Sequence, residues 1–294
     1  MKRVALILLM SLAACTKEKI TVAPVATGSG AQIVVGSKNF TESVILGELL
    51  AQKLEASGCT VERRLNMGGT LVCDSAIRSG ALDTYAEYSG TALTAILKKP
   101  IDLDRAAVEQ KIAAGYQSAG LVWGPPLGFN NTFAMIVRKE DAAKYGLTRV
   151  SDLKKVQSQL QPGFGYEFVE RPDGWRGLLA KYGLAFKASP KTMDLGLTYK
   201  ALASHQIDLI AGNSTDGLID SLGLVILEDD LHYFPPYDAA VVRRAGLDTK
   251  CGGASKALES LRGKIDDATM RKLNYAVDGE KKDVTVVVGE WLKK

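Results

Sequence analysis

Short apolar runs alternate with stretches of helical spacing along most of the chain. Ile33 to Gly36 and Val61 to Leu65 have the length and residue types of strands, whereas Phe40 to Ala56 and Thr70 to Ser79 predict helices. In the first helix Leu46, Leu49, Leu50 and Leu54 recur at helical intervals and so share one face. Asn39-Phe40-Thr41-Glu42 at its start reads as a cap followed three residues later by a Glu. The alternation predicts an α/β fold built on mainly parallel sheet with helices on both faces. Two segments break the pattern, Trp123 to Gly128 and Tyr233 to Tyr237, and suggest two crossings between two lobes.

An internal repeat points the same way, because Ala76 to Thr91 aligns without gaps on Ala201 to Asp216. Ala76, Ser79, Asp83, Ala86 and Ser89 then face Ala201, Ser204, Asp208, Ala211 and Ser214. Each copy reads as a helix end, a short strand and a polar turn into a new helix. Tyr88 and Asn213 fall at matching places.

The first residues change the picture of where the protein works. Lys2 and Arg3 precede the apolar run Val4 to Leu12, and Leu12-Ala13-Ala14-Cys15 follows, which reads as a signal peptide over 1–14. The run is too short for a permanent membrane span. The junction resembles the bacterial lipobox, which implies acylation of Cys15 and attachment to the cell envelope, and residues 15–31 read as a flexible linker. Losing Lys2 and Arg3 lowers the formal charge of +4 by two, and a near-neutral surface argues against nucleic acid as a partner. The remaining length suits two domains. Cys59, Cys73 and Cys251 allow at most one disulfide and are expected to be buried small hydrophobes. No Cys-x-x-Cys, Gly-x-Ser-x-Gly, phosphate-binding loop or His-Glu-x-x-His occurs, and His205 and His232 are the only histidines; an enzyme, a metal and a cofactor are not expected. His205 is expected at a helix end in a cap or surface role, and the carboxylates Glu87, Glu170, Asp173 and Asp216 are accounted for by capping and helix-dipole effects.

Four turns have the form of ligand sites at strand ends: Ser37 to Phe40, Tyr88 to Thr91, Glu170 to Gly174 and Asn213 to Asp216. Backbone N–H groups at such turns favour an anion, and Lys38 and Arg171 add full charges. Tyr88, Phe133 and Tyr237 fall at the same breaks. A quaternary ammonium donates no hydrogen bonds and is held by the faces of aromatic rings, so rings beside an anion site describe a zwitterion site.

Seven segments carry a family likeness: Gly36 to Glu42, Met67-Gly68-Gly69-Thr70, Glu87 to Thr91, Phe129-Asn130-Asn131-Thr132, Glu170 to Gly174, Ser214 to Gly217 and Phe234-Pro235-Pro236-Tyr237. From Ile33 to Trp291 the chain resembles the osmoprotectant substrate-binding proteins of ABC importers, the glycine betaine, carnitine and choline group. The resemblance implies the two-lobed type II periplasmic binding protein fold, with lobe 1 formed by 32–128 plus 238–294, lobe 2 by 129–237, and a ligand cleft between them. It implies an ammonium cage at Tyr88, Phe133, Asn213 and Tyr237 and carboxylate contacts at Lys38, Thr91 and Arg171. Phe133 stands where Tyr is common and keeps a ring face; Asn213 replaces an aromatic. Loss of that ring weakens the cage or marks another solute, such as carnitine, ergothioneine or an amino acid. An importer permease is the implied protein partner of a monomeric binding protein, with a ligand-sensing domain as the alternative.

Overall fold

The first elements form where the pattern places them: β1 (Ile33–Gly36), α1 (Thr41–Ala56), β2 (Val61–Arg64) and α2 (Thr70–Ser79). The computed structural model describes residues 31–293; the signal peptide, Cys15 and all but the last residue of the linker lie outside them. The other strands are β3 (Thr84–Tyr88), β4 (Leu121–Asn130), β5 (Phe133–Arg138), β6 (Pro162–Gly165), β7 (Lys191–Met193), β8 (Leu209–Asn213), β9 (Leu224–Leu227) and β10 (Asp238–Arg244). They make two five-stranded sheets, ordered β2-β1-β3-β10-β4 and β7-β6-β8-β5-β9.

Each sheet is mixed, with four strands running one way and a single strand reversed. β1 is parallel to β2 and β3, while β10 is antiparallel to β3 and β4; β6 is parallel to β7 and β8, while β5 is antiparallel to β8 and β9. The reason is directional. β5 and β10 enter from the other sheet, starting beside the carboxyl ends of β8 and β3, with Phe133 opposite Asn213 and Ala239 opposite Tyr88, and can only run away from that end.

Trp123 to Gly128 is part of β4 and not an interruption. β4 is an edge strand paired only with β10, so Pro125 and Pro126, which lack N–H groups, are tolerated there with two register shifts. The first crossing between sheets is Asn131–Thr132; the second lies between β9 and β10.

The leucine face of α1 is buried, with Leu46, Leu50 and Leu54 inaccessible to solvent. α1 packs on β1 and β3 and on the C-terminal helices Asp267–Asp278 and Val284–Leu292. One cysteine expectation is corrected here. Cys59 and Cys251 are disulfide-bonded across 192 residues of sequence, with Cα atoms 5.7 Å apart, and among the described residues only Cys73 is a free thiol, and it is buried. The two partners come from the segments entering β2 and following β10, which the fold, and not any local spacing, places side by side.

The repeat corresponds to a structural equivalence. β3 and β8 hold the central place in their sheets, and Tyr88 and Asn213 end them. Asp83 Oδ2 accepts the N–H of Val34 at 2.8 Å and Asp208 Oδ2 that of Gln161 at 2.9 Å, so each aspartate fastens its strand to the parallel neighbour. Each also meets a cation, Lys250 at 2.7 Å and Arg138 at 2.5 Å. His205 lies exposed just beyond the helix Leu195–Ala203, in the left-handed conformation.

Candidate functional site

The carboxyl ends of β1, β3, β6 and β8 converge on a cavity of about 300 Å³ between the two sheets. Lys38, Tyr88, Thr91, Phe133, Arg171, Asn213 and Tyr237 all line it. Ligands collect at such strand ends in open α/β sheets, because the following helices point their N-termini inward.

Both basic residues already carry protein partners, which the sequence did not reveal. Lys38 is buried and its Nζ donates to Glu87 Oε1 at 2.5 Å and to Thr70 Oγ1 at 3.1 Å. Burial pushes the Glu87 carboxyl above its ordinary pKa, against the pull of Lys38. Arg171 Nε and Nη2 donate to the two oxygens of Asp173 at 2.9 and 2.5 Å, and Nη1 donates to Thr91 Oγ1 at 2.9 Å. Burial works to raise Asp173, but Arg171 outweighs it and holds that carboxyl below its usual range. One ammonium hydrogen on Lys38 and two guanidinium hydrogens on Arg171 are left for another acceptor.

The rings are similarly engaged. The Arg171 guanidinium lies 5.1 Å from the Phe133 centroid and 5.8 Å from that of Tyr237, within cation–π range of both. Tyr237 O–H donates to Asp173 Oδ2 at 2.6 Å. Lys38 Nζ stands 5.0 Å from the Tyr88 centroid. Glu87 and Asp173, read from sequence as helix-start carboxylates, are instead the buried counterions of Lys38 and Arg171.

Several lining residues were not anticipated. Phe40 sits 6.1 Å from Tyr88, and Phe168 packs edge-on against Phe133 at 4.9 Å. Tyr166, Glu167, Asp194 and Leu195 complete the wall from the second sheet's side. Phe40 lies inside a quoted motif and Glu167 four residues before Arg171, so position hinted at both; Asp194 carried no signal. Lys38 and Arg171 pair with Glu87 and Asp173; of the wall's other carboxylates, Glu167 lies 3.9 Å from Arg171 Nη1, and Asp194 meets no cation among the described residues.

Polar contacts cross the cleft at several points. Glu167 Oε1 accepts the N–H of Thr70 at 2.6 Å, at the start of α2. Thr94 Oγ1 donates to Asp173 Oδ2 at 2.8 Å. Glu42, expected in a capping box, makes no cap: the N-cap of α1 is Phe40, without a side-chain bond, and Glu42 turns inward. Its carboxylate accepts from Tyr88 Oη at 2.8 Å, Asn131 Nδ2 at 2.7 Å, Thr215 Oγ1 at 2.5 Å and Asn274 Nδ2 at 2.9 Å. Burial pushes its pKa up to about 7, opposed by the bonds from Thr215, Asn274 and Tyr88.

Residues 31–294 match the family of the substrate binding domain of ABC-type glycine betaine transport systems, OpuAC. The carnitine transport binding protein OpuCC of Listeria monocytogenes is 35% identical over 266 residues, 89% of this chain and 86% of that one. The ergothioneine transport permease/ergothioneine binding protein EgtU of Helicobacter pylori is 36% identical over 265 residues, 89% of this chain, which spans only 47% of that protein. The crystal structure of a glycine betaine/carnitine/choline ABC transporter superposes with a TM-score of 0.72 at 32% identity, covering 90% of this chain and 97% of that one. The chain therefore belongs to the OpuAC family of substrate-binding proteins and has the type II periplasmic binding protein fold.

Proposed function

We propose that this protein captures a quaternary-ammonium solute, a zwitterion such as glycine betaine, proline betaine or carnitine, or choline, and delivers it to an ABC importer permease. The observation that carries this reading is the cavity wall. Its rings Phe40, Tyr88, Phe133 and Tyr237 surround a space whose two basic residues are paired with Glu87 and Asp173, while Glu167, 3.9 Å from Arg171, and Asp194 leave the wall with more carboxylates than cations. An ammonium that cannot donate hydrogen bonds gains from ring faces and from negative charge. Its carboxylate, where it has one, meets the remaining hydrogens of Lys38 and Arg171 beside Thr91, while Asn213 closes the wall where a further ring is absent.

The lobes we assign are 32–128 with 238–294, and 129–237, hinged at the two crossings; closing them around solute presents both to the permease. The protein acts outside the cytoplasm as a monomer, tethered through a lipid on Cys15, with no cofactor or catalytic role. Asn213 favours a second reading, a more polar solute such as ergothioneine or an amino acid, because its amide both donates and accepts.

A thermal-shift screen against glycine betaine, proline betaine, choline, carnitine, ergothioneine and the amino acids tests the two together. A bound solute raises the melting temperature by mass action. A shift from glycine betaine, proline betaine, choline or carnitine supports the first reading; a shift from ergothioneine or amino acids alone overturns it in favour of the second.

A further inference from the structure

Glu42 stands apart from the other buried acids. Glu87 and Asp173 each face a cation, whereas the only charge that bears notably on Glu42 is Asp216, of like sign. Its four donors come from β3, from the first crossing, from the turn after β8 and from the helix Asp267–Asp278. They thus span both sheets, the crossing and a ring of the cavity. Two buried acceptors beside it have no partner among the described residues: Asn131 Oδ1 and Asn274 Oδ1. Both belong to amides whose nitrogens bond Glu42. Asn274 is fixed by its second Nδ2 hydrogen, which donates to Thr215 O at 2.9 Å, but rotating the Asn131 amide by half a turn points its oxygen at the carboxyl, where it accepts a proton carried on Glu42. The cluster is therefore able to satisfy the neutral acid as well as the anion, which an ion pair is not.

We propose that Glu42 is a positioning residue for solute binding, a proton-coupled latch that takes up a proton as the lobes close and holds Tyr88 in place. This rests on the solute-binding reading above. Opening the lobes separates Thr215 from Glu42 and admits water to the carboxyl, which restores it toward ordinary acidity. The surrounding groups are Tyr88 on β3 with Glu87 beside it, Lys38 over the Tyr88 ring, Asp216 after β8, and Asp278 and Arg271 on the helix Asp267–Asp278. Arg63 on β2 is held by Glu48 and Glu55, further along α1.

The sign follows from linkage. Burial raises the closed-state pKa to about 7, so closure is favoured as pH falls through that value and levels off once the open form is protonated as well. Glycine betaine and choline keep their charges over this range, so any change in their affinity belongs to the protein. From about pH 8 to about pH 5.5 affinity is expected to rise about ten- to thirty-fold, with proton uptake visible by calorimetry in buffers of different ionisation enthalpy.

Glu42→Gln mimics the neutral acid: it should bind at about pH 8 as tightly as the wild type does at about pH 5.5, with a flat profile between them. Small-angle scattering of the solute-free protein is a second arm that needs no ligand, and a smaller radius is expected at the lower pH in the wild type alone. A flat or reversed wild-type profile overturns the proposal. So does a slope that persists in Glu42→Gln, which would move the titration to Asp216, itself pushed up to about 6 by burial. If glycine betaine and choline fail to bind at any pH, the solute reading fails for them and the scattering arm alone decides the latch.

Discussion

β3 and β8 are the same piece of architecture used twice, and what they keep differs from what they change. Both begin beside an aspartate that accepts a neighbouring strand's N–H and meets a cation. Both are followed by a serine that bonds the chain at a crossing: Ser89 Oγ donates to Pro236 O at 2.8 Å, and Ser214 Oγ to Asn130 O at 3.2 Å. At the last strand residue the copies part. Tyr88 brings a ring to the cavity and a hydroxyl to Glu42, while Asn213 brings only an amide. Frame and cavity are therefore separable: the bonds that assemble a sheet are duplicated, and the residue that faces the cavity differs.

Matched substitutions in the two copies test this division. Asp83→Ala leaves the Val34 N–H without its acceptor and takes one partner from Lys250, which is 33% exposed and also bonds Gln32 O, and should destabilise by about 2–3 kcal/mol in chemical denaturation. Asp208→Ala, whose carboxylate is 26% exposed, should cost about 1–3 kcal/mol. A loss in one copy alone would break the equivalence of the two aspartates. Tyr88→Phe keeps the ring but removes a hydrogen bond to a buried carboxylate, so solute binding should weaken by about 1.5–3 kcal/mol in calorimetry.

Asn213→Tyr puts a ring where β8 ends, matching Tyr88 on β3, and should tighten glycine betaine binding by about 0.5–2 kcal/mol; weaker binding would mean that the solute uses the amide. The smallest effects are expected at the serines. Ser89→Ala, which also loses the bond from the Asp238 N–H, should cost about 1 kcal/mol more than Ser214→Ala in thermal melts.

The frame was largely legible in the sequence because it rests on local patterns. Strand and helix limits near the start of the chain, the repeat and both crossings come from periodicity and turn chemistry. The crossing near Gly128 was placed a few residues early because a proline pair reads as a break, and only the pairing pattern reveals that β4 is an edge strand. The seven lining residues were reachable through motifs at strand ends. Their pairings were not. Nothing in the spacing of Lys38 and Glu87, or of Glu42 and Thr215, says that they meet, since these contacts form only when separate turns are folded onto one cleft. The disulfide was hidden for the same reason, because Cys59 and Cys251 are brought together by the return of the chain to the first sheet.

That return also sets the order in which the protein can be finished. β10 lies between β3 and β4, and Cys251 binds Cys59. A chain made from its N-terminus therefore holds an incomplete sheet, with β3 and β4 lacking the strand that joins them, until all of the second sheet has been synthesised. The consequence is kinetic: such late, distant pairings slow folding and leave strand edges exposed meanwhile. The second sheet, whose five strands are contiguous in sequence, is free to form first.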